Sequence, residues 1–339
     1  MSREAPVTGP AVWVKTWLPI AMRGAAVTKI NMASARCVLM ESKPCSIHVF
    51  CRILLRLTGF RFIAKCASHW RRCLTASACS LGLAFGIAAS ARASPIADVH
   101  DLVSPAIASA YDQARWAEVI ELGEKANTAA SLTMAARAAS ASLLVHAAGL
   151  GPPKKRAEHA VRLAQRALAL DPQLVEAHLQ YATALGLYSR LIGHVSAARQ
   201  GIAAKTRNAA ERAISLAPDA PWGYAYLGIW HLEVINVAGG IGARFVGANL
   251  NEGLGLMDRA VAMSPPDPLV FYQIALALAV NDPKKHRARI DRLLNLAVSS
   301  APKDAFESYM IEQARQLKAI FLTNNSSALQ AFLKAEYTP

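Results

Sequence analysis

Cysteine is missing from most of this 339-residue chain: all six, Cys37, Cys45, Cys51, Cys66, Cys73 and Cys79, precede residue 80. The rest of the chain has no disulfide, no thiolate metal site and no cysteine nucleophile, so packing alone must hold it together. Charge is scarce too, at 18% of residues, which excludes a disordered polyelectrolyte. With 17 Pro and 19 Gly, neither collagen nor a low-complexity linker fits. Hydrophobic residues, at 53%, are ample for a core. The formal net charge of +14 points to a nucleic-acid partner only until it is placed along the chain. Residues 1–93 hold 13 Lys and Arg against 2 Asp and Glu, leaving 24 against 21 in residues 94–339. The body is therefore almost balanced, and no basic face for DNA or RNA is expected.

Residues 68–93 read as a signal peptide. A basic pair, Arg71-Arg72, precedes an uncharged small and apolar stretch from Cys73 to Ala91, and Ala91-Arg92-Ala93 precedes Ser94-Pro95. Cleavage after Ala93 is expected, giving a periplasmic or secreted protein with no membrane span in the mature chain. The alternative is a chain anchored by uncleaved residues 73–91, whose length approaches that of a bilayer span. Residues 1–67 show no sustained periodicity and read as an extension without a stable fold. Residues 94–339 are then the folded domain.

In that domain no segment alternates as a half-buried strand would, and the Ala- and Leu-rich periodicity predicts helices throughout. They fall near 104–114, 116–128, 131–148, 157–170, 174–190, 195–217, 221–236, 249–264, 268–281, 284–300, 303–322 and 325–335. Breaks are expected at Pro172, Pro218, the Gly239–Gly247 stretch, Pro265-Pro266, Pro283 and Pro302. Four helix ends align: Ala167 to Pro172, Ala213 to Pro218, Ala260 to Pro265 and Ala297 to Pro302, each with a small residue five positions before the closing proline. After the first three come Ala177-His178-Leu179-Gln180-Tyr181-Ala182, Gly223-Tyr224-Ala225-Tyr226-Leu227-Gly228 and Val270-Phe271-Tyr272-Gln273-Ile274-Ala275. In each, an aromatic or His, a large apolar and a small residue build one packing face.

This pattern resembles the tetratricopeptide repeat family, which implies a solenoid of helical hairpins. The proline spacings of 46, 47 and 37 residues exceed the family period of about 34, so long insertions between repeats are expected. Residues from about 172 to 270 resemble the regulator of microtubule dynamics proteins and their bacterial relatives. That likeness is carried by Ala213-Ile214-Ser215-Leu216-Ala217-Pro218, by Leu227-Gly228-Ile229-Trp230 and by an insertion before the next repeat. It implies the fold; a microtubule role would not suit an exported chain.

Chemistry is hard to find. The seven His after the leader form no two-His metal motif, and His231-Leu232-Glu233 alone is too small a cluster for zinc. There is no G-x-S-x-G elbow, and the glycine-rich stretch at 239–247 lacks the Gly-Lys-Ser/Thr ending of a phosphate loop. No enzyme, metal or cofactor is expected. In stacked hairpins the first helices line a concave face. Their outward register holds Glu176, Leu179 and Thr183, then Trp222, Ala225 and Ile229, then Leu269, Tyr272 and Leu276, with Arg244 and Phe245 as a lid. A mostly apolar groove is expected, taking a protein segment or a cell-envelope component. The alternatives are a carrier or transport accessory protein, with a small apolar ligand or lipid in a pocket closed by the insertions, and a face simply filled as core.

Overall fold

The computed structural model describes residues 98–263 and 267–337. The leader, the expected cleavage site and the Pro265-Pro266 break lie outside the described residues. Among the described residues are thirteen α-helices, one 3-10 turn at Val99–Leu102 and no strand: an all-α, solenoid-like fold. The helices pair as α1 (Pro105–Asp112) with α2 (Trp116–Ala126), then α3 (Ala129–Leu144) with α4 (Pro153–Leu170). Next, α5 (Val175–Ile192) pairs with α7 (Ile202–Leu216) past the short α6 (His194–Arg199), and α8 (Pro221–Phe245) with α9 (Leu250–Met263). The last pairs are α10 (Pro268–Asn281) with α11 (Arg287–Ser299), and α12 (Ala305–Thr323) with α13 (Ser326–Tyr337).

Local chemistry sets where the helices start. Pro105, Pro153, Pro221 and Pro268 open α1, α4, α8 and α10, where a missing N–H costs nothing. Asp267 caps α10 by accepting from the Leu269 and Val270 amides at 3.0 and 3.1 Å, and Asp304 caps α12 by accepting from the Glu307 amide at 2.7 Å. Small residues set how closely the hairpins pack. Ala167, Ala213, Ala260 and Ala297, the four aligned positions, are all buried. At Gly228 a Cβ would stand 2.8 Å from Met257 Cγ and 2.9 Å from the Gly253 carbonyl oxygen, so α8 meets α9 almost backbone to backbone.

The long spacings are taken up by helix rather than loop, with two element bounds other than those expected. The helix expected over 195–217 is two helices, α6 and α7, separated at Gly201, whose φ of 64° no continuous helix adopts. The Gly239–Gly247 stretch, expected as a break, is mostly helical: α8 kinks at Gly239 (φ 67°, ψ 171°) and resumes through Phe245. Burial explains this, because Ala243 and Ala248 pack with Trp230, Leu227 and Ala210 and tie the insertion down.

The described chain also closes on itself. Trp116 of α2 meets Phe306 of α12 edge to face, with ring centroids 6.2 Å apart. The last helix, α13, turns back over α10, where the Tyr272 hydroxyl donates to Glu336 at 2.8 Å, and the Arg190 guanidinium lies 4.1 Å from the centre of the Tyr337 ring.

Candidate binding cavity

The first helices of successive hairpins surround a cavity of about 620 Å³. Arg137, Ser140, Ala141 and Leu144 form its wall on α3, a spacing that puts them on one helical face. Glu176, Leu179, Gln180, Thr183, Gly186, Leu187 and Arg190 do the same on α5. Trp222, Tyr226, Ile229, Trp230 and Glu233 come from α8, and Asp267, Leu269 and Gln273 from the start of α10. The segment Asp98–Asp101 and the start of α12, with Asp304, Phe306 and Glu307, complete it.

Six of the nine groove candidates therefore line the cavity: Glu176, Leu179, Thr183, Trp222, Ile229 and Leu269. The other three, Ala225, Tyr272 and Leu276, are buried in the core and do not line it. Tyr272 is buried because α13 folds over it, a return that no repeat pattern announces. On α8 the aromatic stripe runs Trp222, Tyr226, Trp230, which displaces the expected Ala225 from the lining. The expected lid is corrected. Arg244 and Phe245 are exposed, Phe245 by 85%, and neither lines the cavity, because the kink at Gly239 sends that end of α8 against α7 instead.

Apolar walls were expected; the acidic character was not. Eight carboxylates line the cavity, Asp98, Asp101, Asp112, Glu176, Glu233, Asp267, Asp304 and Glu307, against the cations Arg137, Arg190 and Lys303. The cations are largely committed. Arg137 donates to the Tyr111 hydroxyl at 3.0 Å and lies 3.6 Å from Asp98. Burial alone would lower the Arg137 guanidinium, but Tyr111, Glu176, Asp98 and Asp304 outweigh it and hold the group above the ordinary arginine range. Arg190 pairs with Glu233, and Lys303 lies 3.9 Å from Glu307. Among the described residues, Glu176, Asp267 and Asp304 form hydrogen bonds but no ion pair: Glu176 accepts from Gln180 at 2.8 Å, and Asp267 from the Trp222 indole at 3.1 Å.

The aromatic side of the cavity is fixed in place. Trp222 and Tyr226 have centroids 5.7 Å apart, tilted by 37°. Thr183 and Tyr226 share a hydrogen bond between their hydroxyls, and burial pushes the Tyr226 hydroxyl up to about 12, with Glu176 and Asp267 adding to the rise against that hydrogen bond. Trp230 donates to the Ala203 carbonyl at 2.9 Å. The acidic residues had a legible signal. An aspartate lies within two residues of each closing proline, at Asp171, Asp219, Asp267 and Asp304, and two of these line the cavity.

Among the described residues no group of three or more His, Cys, Asp or Glu is arranged to hold a metal ion, and no helix is long and apolar enough to cross a membrane. Residues 109–239 match the model of the family described as Regulator of microtubule dynamics protein 1-3. The match starts in α1 and stops at the Gly239 kink, so it bears out the resemblance over 172–239 and extends it upstream through the first hairpins. No curated protein matches the chain.

Proposed function

We propose that this chain is an exported, tetratricopeptide-like scaffold that holds a protein segment or cell-envelope component on its concave face, acting by binding rather than catalysis. The observation that carries this reading is the cavity of about 620 Å³ walled by the first helices of successive hairpins. Binding sites of roughly 300–1,000 Å³ commonly combine apolar walls with a few fixed polar groups. Export rests on the sequence of residues 68–93 and predicts a mature N terminus at Ser94, which N-terminal sequencing of the exported protein checks.

Gly186 supplies the test. It lines the cavity from within α5, and a Cβ there would meet nothing within 4 Å. Gly186→Trp should fill the space without disturbing the helix. A random decapeptide display library selected on the full chain should yield peptides that bind the wild type at least about tenfold more tightly than Gly186→Trp, as loss of a central contact does. A selection that yields no peptide sensitive to this substitution would defeat the segment reading. The apolar walls at Leu144, Leu179, Leu187, Ile229 and Leu269 favour a second reading, a carrier for a small apolar ligand or lipid. Mass spectrometry of organic extracts from purified wild type and Gly186→Trp checks it, a molecule present only in the wild type being the expected result.

A further inference from the structure

We infer that the cavity recognises a cationic side chain, the guanidinium or ammonium of an arginine or lysine in a peptide segment, seated between the carboxylates of Glu176, Asp267 and Asp304 and the rings of Trp222 and Tyr226. This rests on the segment-binding reading above and names the chemistry of the segment.

Residues 94–339 carry nearly balanced charge, yet the cavity lining holds eight carboxylates against three cations. The acidic excess is thus concentrated on the concave side. The three carboxylates come from three different hairpins, at the start of α5 and at the caps of α10 and α12, and among the described residues none has an ion-pair partner. Like charges gathered around one space repel one another, and an entering cation relieves that repulsion. Only one free oxygen of Asp304 is needed for this, since the cap uses Oδ1 alone. Trp222 and Tyr226 line the same space, and aromatic faces attract arginine and lysine head groups.

A second observation points to a polar ligand independently of the acids. Ser140, 2% exposed, lines the cavity on the same face of α3 as Arg137, and its hydroxyl has no hydrogen-bond partner among the described residues. Buried hydroxyls are ordinarily satisfied, so a lone one in a binding cavity marks a place where a ligand N–H can donate. The apolar residues of the same lining, Leu179 and Ile229, suit the neighbours of the basic residue in a segment rather than a free cation in water.

The display selection tests this through isosteric neutralisation. Asp304→Asn keeps a side chain that caps a helix well, Glu176→Gln keeps an amide oxygen toward Gln180, and Asp267→Asn keeps the cap but loses the acceptor for the Trp222 indole. The triple variant should therefore stay folded by circular dichroism, and the Glu176→Gln/Asp304→Asn double variant, which leaves Trp222 held, should carry most of its effect. Peptides selected on the full-length wild type and lost in Gly186→Trp should contain arginine or lysine. Their affinity, read by fluorescence anisotropy, should fall for the wild type as salt is raised, and in the triple variant it should be at least about tenfold weaker and less sensitive to salt. Ser140→Ala should weaken the same peptides while leaving the melting temperature unchanged or raised.

Selected peptides that are neutral or acidic, or that bind the triple variant as tightly as the wild type, would overturn the cationic inference and leave the segment reading standing. No peptide sensitive to Gly186→Trp would remove both. Argininamide serves as the competitor that separates sources. Displacement of the peptide at concentrations no higher than those of unlabelled peptide would make a free cation the ligand and overturn the segment as its source.

Discussion

Two buried positions between α8 and α9 carry opposite kinds of constraint. Gly228 is a steric one, since the nearest neighbours of an added Cβ include the Gly253 carbonyl and the Met257 amide nitrogen at 3.2 Å, backbone atoms that cannot swing away. Gly228→Ala should cost about 1–3 kcal/mol by overpacking, read by denaturant unfolding. Gly186→Ala, in open space within α5, should be neutral or slightly stabilising. His231 is an electrostatic constraint. It is fully buried, its Nδ1 accepts from the Asn249 amide at 3.0 Å, and its Nε2 has no hydrogen-bond partner, with Glu252 3.6 Å away. Burial holds it below the ordinary histidine value, against the pull of Glu252. The unfolded chain therefore takes up this proton more readily than the fold does. The stability that neutral His231 supports is complete above about pH 6.5 and is lost as the pH falls below it. His231→Gln keeps an acceptor for Asn249 and should flatten the decline in melting temperature between about pH 7.5 and 5.5.

At the level of elements, the hairpin periodicity was readable because each closing proline and each buried alanine leaves a mark in the sequence, from Ala167-Pro172 to Ala297-Pro302. The returns were not. Nothing in Ser326–Tyr337 says that it folds back on α10 instead of extending the stack, because its contacts with Tyr272 and Arg190 join residues 64 and 147 positions apart in the chain. The groove register failed at Tyr272 for that reason, and at Ala225 because a helix face is specified only to within one residue by periodicity alone. The acids at Asp267 and Asp304 read as helix caps; that both line one cavity is a tertiary fact. Deleting residues 325–339 should uncover Tyr272 and leave Glu233 as the main partner of Arg190. A loss of stability several times that of Tyr272→Phe, itself about 1 kcal/mol for one hydrogen bond, is the expected result by urea unfolding.

For the whole molecule, a linear stack of hairpins is stabilised mainly by nearest neighbours, so its terminal units open first and independently. The edge-to-face contact of Trp116 with Phe306 joins the first hairpin to the last, and Tyr111 packs against the same indole at 5.3 Å. An end can open only by breaking that junction, which couples it to the opposite end. Native-state hydrogen exchange should therefore show α2 and α12 exchanging together, with similar protection and similar denaturant dependence. Phe306→Ala should uncouple them, so that the amides of one end exchange ahead of the other while those of α3 and α10 stay protected. The described helices then behave as a ring whose amides share one clock, and loosening a single aromatic turns that ring back into a chain that opens from its ends.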